Sequence, residues 1–250
     1  MDMPLAVIIG GAIVAGFVQG LSGFGFGMTA MAIWAWVLDP QLAAVLSVFG
    51  ALTGQVIAAV TVRRGFDMKR LLPFIIGGLV GIPIGVTLLP MLDPIIFKVF
   101  LGAFLVTWCP VMLLIGQIPH IRRGGRIADG VSGTLGGIMG GIGGFTGVIP
   151  TLWCTLRGYD RDTQRSIIQN FNLSMLAVTM ATYLASGIVT RAMWPMFAIV
   201  APAMLIPSLL GSKLYIGISD VAFKRVVLGL LTASGVALLA SALPQLLARG

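Results

Sequence analysis

The sequence contains no glutamate, a single histidine and two cysteines. Its eight acids are all aspartate: Asp2, Asp39, Asp67, Asp93, Asp129, Asp160, Asp162 and Asp220. Each stands in a loop or near the end of an apolar run. Charged residues make up 10% of the 250, where an ordinary soluble domain carries about 25%. That is too little polar surface to cover a water-soluble fold of this length. The shortage also limits chemistry. Metal-dependent and lipid-modifying membrane enzymes need clusters of Asp, Glu, His or Cys, and none is legible. A cation pathway lined by buried carboxylates is disfavoured for the same reason. An anion needs no carboxylate and would be repelled by one. Cys109 and Cys154 sit inside apolar runs and read as small core residues, not as a disulfide or a metal pair.

Hydrophobic residues, at 58%, and 34 glycines dominate instead. The runs Gln41 to Thr61, Leu71 to Met91, Ile95 to Gly116, Ser166 to Ile188, Trp194 to Ile216 and Ala222 to Leu243 each approach the ~20 residues a spanning helix needs. Lys98 lies near one end of its run, where its long stem can reach the interface. The chain is therefore expected to be an all-α integral membrane protein. The net charge of +8 does not indicate nucleic acid. The basic residues stand in short clusters between apolar runs, as Arg63, Arg64, Lys69 and Arg70, and as Arg122, Arg123 and Arg126, which is the pattern of cytoplasmic loops. The sole histidine, His120, falls beside the second cluster. The N-terminus lacks a basic n-region, so no cleaved signal peptide is expected.

An internal repeat follows from the glycines. Gly16, Gly20, Gly23 and Gly27 recur as Gly133, Gly137, Gly140 and Gly144, a constant shift of 117. Gly85, Phe97 and Lys98 recur as Gly211, Phe223 and Lys224, a constant shift of 126. The expectation is one transmembrane domain over 1–250, with repeat one at 1–116, a linker at 117–129 and repeat two at 130–250. Each half begins with a glycine-broken element, Leu5 to Leu38 and Gly130 to Leu156, and continues with three ordinary helices. The third element of each half carries Pro83, or Pro202 and Pro207, where kinks are expected.

Two designs fit the broken elements. Each crosses once, or each turns back at mid-membrane as a re-entrant hairpin. Single crossings make the halves parallel and place 9 of the 16 Lys and Arg inside. Hairpins make the halves inverted and raise that count to 13 of 16, leaving Lys98, Arg191 and Arg249 outside. The positive-inside rule favours the inverted design, with six spans, two re-entrant hairpins and both termini outside.

The hairpin tips supply what an anion requires. A second arm that begins at mid-membrane presents unpaired N–H groups and a partial positive charge, and glycine lets backbone approach a ligand closely. Pro150 suits the first turn of such an arm. The candidate binding residues are Ser22, Gly23, Phe24, Gly25 and Gly27 at one tip. Gly143, Gly144, Phe145, Thr146 and Gly147 form the other, and Gln169, Asn170 and Asn172 follow in the next helix. Two inverted hairpins would aim two helix starts at one central site, as discontinuous helices do in secondary transporters. Scattered glycines such as Gly77, Gly78 and Gly102 read as helix-packing positions instead. Gly20-Leu21-Ser22-Gly23 matches the Gly-x-Ser-Gly pattern of rhomboid proteases, but a serine nucleophile needs a base within reach; the sole histidine, His120, falls in a loop beside Arg122 and Arg123, and no buried acid is expected as an alternative. An anion channel lined by backbone and neutral polar residues is the more serious rival to a carrier.

The run Gly-Phe-Val-Gln-Gly-Leu-Ser-Gly-Phe-Gly-Phe-Gly at Gly16 to Gly27, its partner at Gly140 to Pro150, and Gly-Ile-Pro-Ile-Gly at Gly81 to Gly85 resemble the sulfite exporter TauE/SafE family, also called toluene sulfonate uptake permeases. The resemblance covers essentially the whole chain. It implies a permease of the bacterial inner membrane for sulfite, a small organosulfonate or a related sulfur-containing anion, with no cofactor. Its partners would be that anion and the lipid bilayer. Whether a proton or sodium ion is coupled, and whether the protein forms a homodimer, stay open at this point.

Overall fold

The computed structural model describes residues 3–23, 25–61, 65–114, 121, 124–214 and 220–249. Phe24, Arg63, Arg64, His120, Arg122 and Arg123 lie outside the described residues, as do the side chains of Phe223 and Lys224. The described chain forms ten α-helices: α1 (Met3–Ser22), α2 (Phe26–Trp34), α3 (Pro40–Thr61), α4 (Met68–Leu88), α5 (Pro94–Leu114), α6 (Gly125–Gly143), α7 (Val148–Leu156), α8 (Arg161–Ala185), α9 (Trp194–Leu214) and α10 (Asp220–Leu247). Short 3₁₀ turns precede α5 and α9. No strand occurs among the described residues.

Among the described residues, six segments are long and apolar enough to cross a membrane: α1, α4 with the turn that follows it, α5, most of α3 and α10, and most of α9 with the turn before it. Five of the expected spans are among them. The sixth expectation, Ser166 to Ile188, corresponds to α8, which begins earlier and is not one of the six. Its first half carries Arg161, Asp162, Gln164, Arg165, Gln169, Asn170 and Asn172, which lower its hydropathy. α1 takes the sixth place. The outer faces are apolar: Leu72, Ile76, Leu79 and Val80 of α4 are all exposed. Helix α4 continues through Pro83, and α9 through Pro202 and Pro207.

Two helical hairpins stand out. α1 stops where Gly23 and Gly25 take φ of +74° and +114°, values that favour glycine. α2 then runs back beside α1, and the Trp34 indole N–H donates to the Val7 carbonyl at 3.2 Å. α6 stops where Gly144 takes φ +78°. α7 returns along it, so that the Ile121 N–H donates to the Leu156 carbonyl and Trp153 Nε1 donates to Asp129 Oδ1 at 2.6 Å. Asp39 and Asp160 cap the helices that follow the hairpins, accepting from the N–H groups of Leu42 and Thr163, both at 2.9 Å.

Glycines set the packing of the first arms. Gly16 lies against the backbone of Met204, Gly20 against Ser208, and Gly211 against Phe17. Gly137 lies against Gly78, Gly141 against Ile82, and Gly85 against Ile138. From Gly16 to Gly20 the partner moves from Met204 to Ser208, and from Gly137 to Gly141 it moves from Gly78 to Ile82, so α1 is parallel to α9 and α6 is parallel to α4. A methyl group on any of these glycines would meet backbone at a distance real side chains do not show. The packing role expected for Gly77, Gly78 and Gly102 agrees with their surroundings: Gly77 lies on Gly130, Gly78 on Met175 and Phe171, and Gly102 on Gly235.

The loops gather by charge. Arg70 reaches Thr163 Oγ1 at 3.4 Å and stacks over Tyr159, while Ser166 Oγ donates to the Gly65 carbonyl. The basic starts of α4 and α8 are therefore neighbours. At the other end of the molecule Arg249 pairs with Asp93 at 3.1 Å, and Lys98 donates to the Trp36 carbonyl.

Candidate functional site

The two hairpin tips meet inside the helix bundle. Gly27, in the first turn of α2, lies against the Gly144 carbonyl. Ser47 of α3 ties both together: its hydroxyl lies 2.8 Å from the Gly143 carbonyl and 3.4 Å from that of Gly27. Between the tips is a cavity of about 30 Å³. It is lined by Gly25, Gly27 and Met28 of the first tip and by Gly144, Phe145, Thr146, Gly147 and Val148 of the second. Gln19 of α1, Ala51 and Gln55 of α3, and Asn172 and Leu176 of α8 complete it. No charged side chain is among them.

A hairpin tip carries two opposite helix ends. The first arm ends in carbonyls without helical partners, and the second begins with N–H groups without them. Here some of the carbonyls at the tips are occupied. Gly23's oxygen accepts from Gln55 Nε2 at 3.0 Å and from Gln19 Nε2 at 3.3 Å. Tyr183 Oη donates to the Gly141 carbonyl at 2.7 Å, and Ser47 covers that of Gly143. Side-chain donors thereby cover the glycine that follows α1 and part of the negative end of α6. On the other side, the Phe26 N–H that opens α2 is taken by Gln19 Oε1 at 3.2 Å, and Gly27 and Met28, next in that first turn, line the cavity. The start of α7 offers less, because the Val148 N–H is turned on the Phe145 carbonyl and Pro150 has none. A side chain compensates: Thr146 Oγ1 donates to Asn172 Oδ1 at 2.9 Å, which leaves Asn172 Nδ2 as a donor at the cavity.

The residues picked from the sequence divide accordingly. Gly25, Gly27, Gly144, Phe145, Thr146, Gly147 and Asn172 line the cavity. Gly23 and Gly143 stand behind it and contribute carbonyls to the tip scaffold. Ser22 turns its hydroxyl back onto the Val18 carbonyl at 2.7 Å. Phe24 is outside the described residues. Gln169 and Asn170 do not line the cavity. Asn170 lies two residues from Asn172, about 200° round an α-helix, and its Nδ2 bonds the Ser166 carbonyl of its own helix at 2.9 Å. Gln169 sits one turn nearer the basic end than Asn172. Gln19, Met28, Ala51, Gln55, Val148 and Leu176 also line the cavity and are not among the sequence candidates. Gln19 and Gln55 could have been, since a lone carboxamide within an apolar run needs a buried partner.

Among the described residues one carboxylate is buried. Asp129, expected near a helix end, lies one turn into α6 with its side chain 5% exposed. It accepts from Trp153 and lies 3.9 Å from the Arg157 guanidinium, which also packs on Trp153 and Tyr159. This cluster fastens the open end of the second hairpin and does not reach the cavity. Cys109 and Cys154 are buried and not bonded to each other. Among the described residues no three His, Cys, Asp or Glu side chains come together as a metal site would require.

Among the described residues, six helices long and apolar enough to cross a membrane mark a multi-pass membrane protein. The sequence matches the family model of the sulfite exporter TauE/SafE over residues 8–238, and the chain belongs to that family, whose members are transporters. No curated protein and no solved structure matches it significantly.

Proposed function

We propose that this chain is a secondary carrier for sulfite or a small organosulfonate, held between the two hairpin tips and exposed alternately to the two sides of the membrane. The observation that carries this reading is the arrangement of helix ends at the cavity. Some tip carbonyls are covered by glutamine, serine and tyrosine donors, while the first turn of α2 at Gly27 and Met28 and Asn172 Nδ2 remain. Such a site favours an anion without a buried cation. Hydrogen bonds to a charged ligand are worth about 1.5–3 kcal/mol each. Two or three of them, less ordering costs, suit a ligand that must also leave.

We further read the halves as inverted repeats with two re-entrant hairpins, and we place their register at 121 for the hairpins and 126 for the later helices. Several pairs support it. Gly23 and Gly144 both turn left-handed at the end of a first arm. Asp39 and Asp160 are equivalent caps. Gly16 on Met204 corresponds to Gly137 on Gly78, and Gly211 on Phe17 to Gly85 on Ile138. The shift of 117 from the glycines alone is one helical turn short. The grouping of Arg70 with the α7–α8 loop favours inverted halves as well, since it joins basic loops that parallel halves would separate.

Purified protein in liposomes tests the reading. Labelled sulfite or a small sulfonate should enter with saturation and counterflow. Asn172→Ala should weaken binding roughly tenfold or more, the loss of one charge-assisted hydrogen bond. Ohmic single-channel currents would establish a pore instead.

A further inference from the structure

Four buried side-chain atoms lack a hydrogen-bond partner among the described residues: Thr29 Oγ1, Gln55 Oε1, Ser132 Oγ and Thr179 Oγ1. Of these residues only Gln55 lines the cavity between the tips. It is 2% exposed. Its Nε2 is committed to the Gly23 carbonyl at 3.0 Å. Turning the amide over would set Oε1 against that carbonyl oxygen, so the orientation follows from the hydrogen bond. The unpaired end of Gln55 is therefore an acceptor.

The remaining groups around the cavity have defined polarity as well. Asn172 Oδ1 is taken by Thr146, so its free end is a donor. Thr146 has spent its proton on Asn172 and can only accept. The lining thus offers donors on one side, at Asn172 and the start of α2, and an unsatisfied acceptor at Gln55. No lysine or arginine lines it to balance a second negative charge. A fully deprotonated oxyanion brings only acceptors. It would leave Gln55 Oε1 unpaired and face it with like partial charge. A site built to bond a ligand O–H discriminates strongly against the analogue that lacks it.

We propose that the ligand is a monoanion bearing its own proton donor, the hydrogensulfite form of sulfite rather than the sulfite dianion or sulfate, and that Gln55 Oε1 accepts from its O–H. Gln55 is then the residue that sets specificity. This inference rests on the carrier reading above.

The test uses the full-length protein in liposomes and three probes. At fixed total sulfite, counterflow should rise as pH falls through neutrality, where sulfite takes up its proton. Sulfate should not compete. Methanesulfinate, which puts a methyl group where hydrogensulfite has its hydroxyl and carries the same single charge, should compete at least tenfold less well than hydrogensulfite. Gln55→Leu should remove that preference, so that methanesulfinate competes as well as hydrogensulfite. Equal competition by the two anions on the wild-type protein would overturn the proposal and leave the carrier reading standing, as would sulfite counterflow that rises with pH. The wild-type comparison does not depend on how well the variant folds. Failure of sulfite and methanesulfinate alike to bind or exchange at any pH would instead overturn the carrier reading, and this inference with it.

Discussion

The hairpin α1–α2 and the hairpin α6–α7 have one shape and different fastenings. At the open end of the first, Trp34 donates to a backbone carbonyl, that of Val7. At the open end of the second, Trp153 donates to a carboxylate, Asp129, with Arg157 beside it. At the tips the side chains differ in kind. Amides of Gln19 and Gln55 hold the first tip through Gly23, whose N–H donates to the Gln19 carbonyl. Hydroxyls of Ser47 and Tyr183 hold the second, where the Gly144 N–H donates to the Gly140 carbonyl and the Phe145 N–H to that of Met139, a glycine-ended helix stop. The shape is therefore specified by where glycine permits a left-handed residue. The side chains that secure it differ between the two hairpins.

Matched substitutions break this comparison at different strengths. The largest contrast is expected between Gly27→Ala and Gly147→Ala. A Cβ on Gly27 would meet the Gly144 carbonyl at 2.8 Å, and backbone cannot swing away. Overpacking of this kind costs about 1–3 kcal/mol, so Gly27→Ala should lower the yield of folded protein in detergent by size-exclusion chromatography. A Cβ on Gly147 would meet only the Asn172 amide, at 2.6 Å. That side chain can move, so Gly147→Ala should fold but transport at least tenfold less. Equal loss of folded protein in both variants would mean that the second tip is as rigid as the first.

An intermediate contrast tests the open ends. Asp129→Ala leaves the Trp153 N–H without its acceptor and Arg157 without its counter-charge, at a cost of about 2 kcal/mol. Trp34→Phe removes one neutral hydrogen bond, about 1 kcal/mol. Thermal unfolding in detergent should rank the two in that order. The reverse order would show that the ionic cluster adds nothing to the hairpin.

The smallest contrast compares the caps of α3 and α8. Asp39 accepts from Leu42 N–H alone, whereas Asp160 accepts from both the Thr163 hydroxyl, at 2.6 Å, and its N–H. Asp160→Ala should therefore lower the melting temperature more than Asp39→Ala. The Thr163 hydroxyl and N–H hold the Asp160 carboxyl below the usual aspartate range. Its contribution is thus complete above that range and is lost only as pH falls through the lowered value. The gap between wild type and Asp160→Ala should persist at neutral pH and close in acid. A gap that closes already near neutrality would assign it to another group.

The elements were readable where glycine and apolar length speak directly. Both broken segments and five of the spans follow from composition and run length; the caps Asp39 and Asp160 were legible only as acids near run ends. The register proposed for the two halves was not readable from glycines, because a stripe recurring every three or four residues still matches itself after sliding one helical turn. Contacts such as Gly16 on Met204 support it, and they lie outside any local window. Asn172 was legible as a polar residue in an apolar run, but its neighbours Gln169 and Asn170 were equally so. Only the rotation of α8 against the tips separates them. Gln55 was missed because its partner, Gly23, is 32 residues away and identified by no local pattern.

The parallel pairing of α1 with α9 has a consequence for biosynthesis. Gly16 and Gly20 form a bare groove until Met204 and Ser208 exist to fill it. The two sides are about 190 residues apart, roughly ten to forty seconds of synthesis at ordinary elongation rates. During that interval α1 stands in the membrane beside lipid, with the groove of α9 not yet made, and the first hairpin cannot acquire its final neighbours. α4 waits a shorter time for α6. The second glycine seam should therefore close while the ribosome is still at work, and the first only at the end, so that truncation within α9 leaves the N-terminal hairpin the part most exposed to membrane proteases.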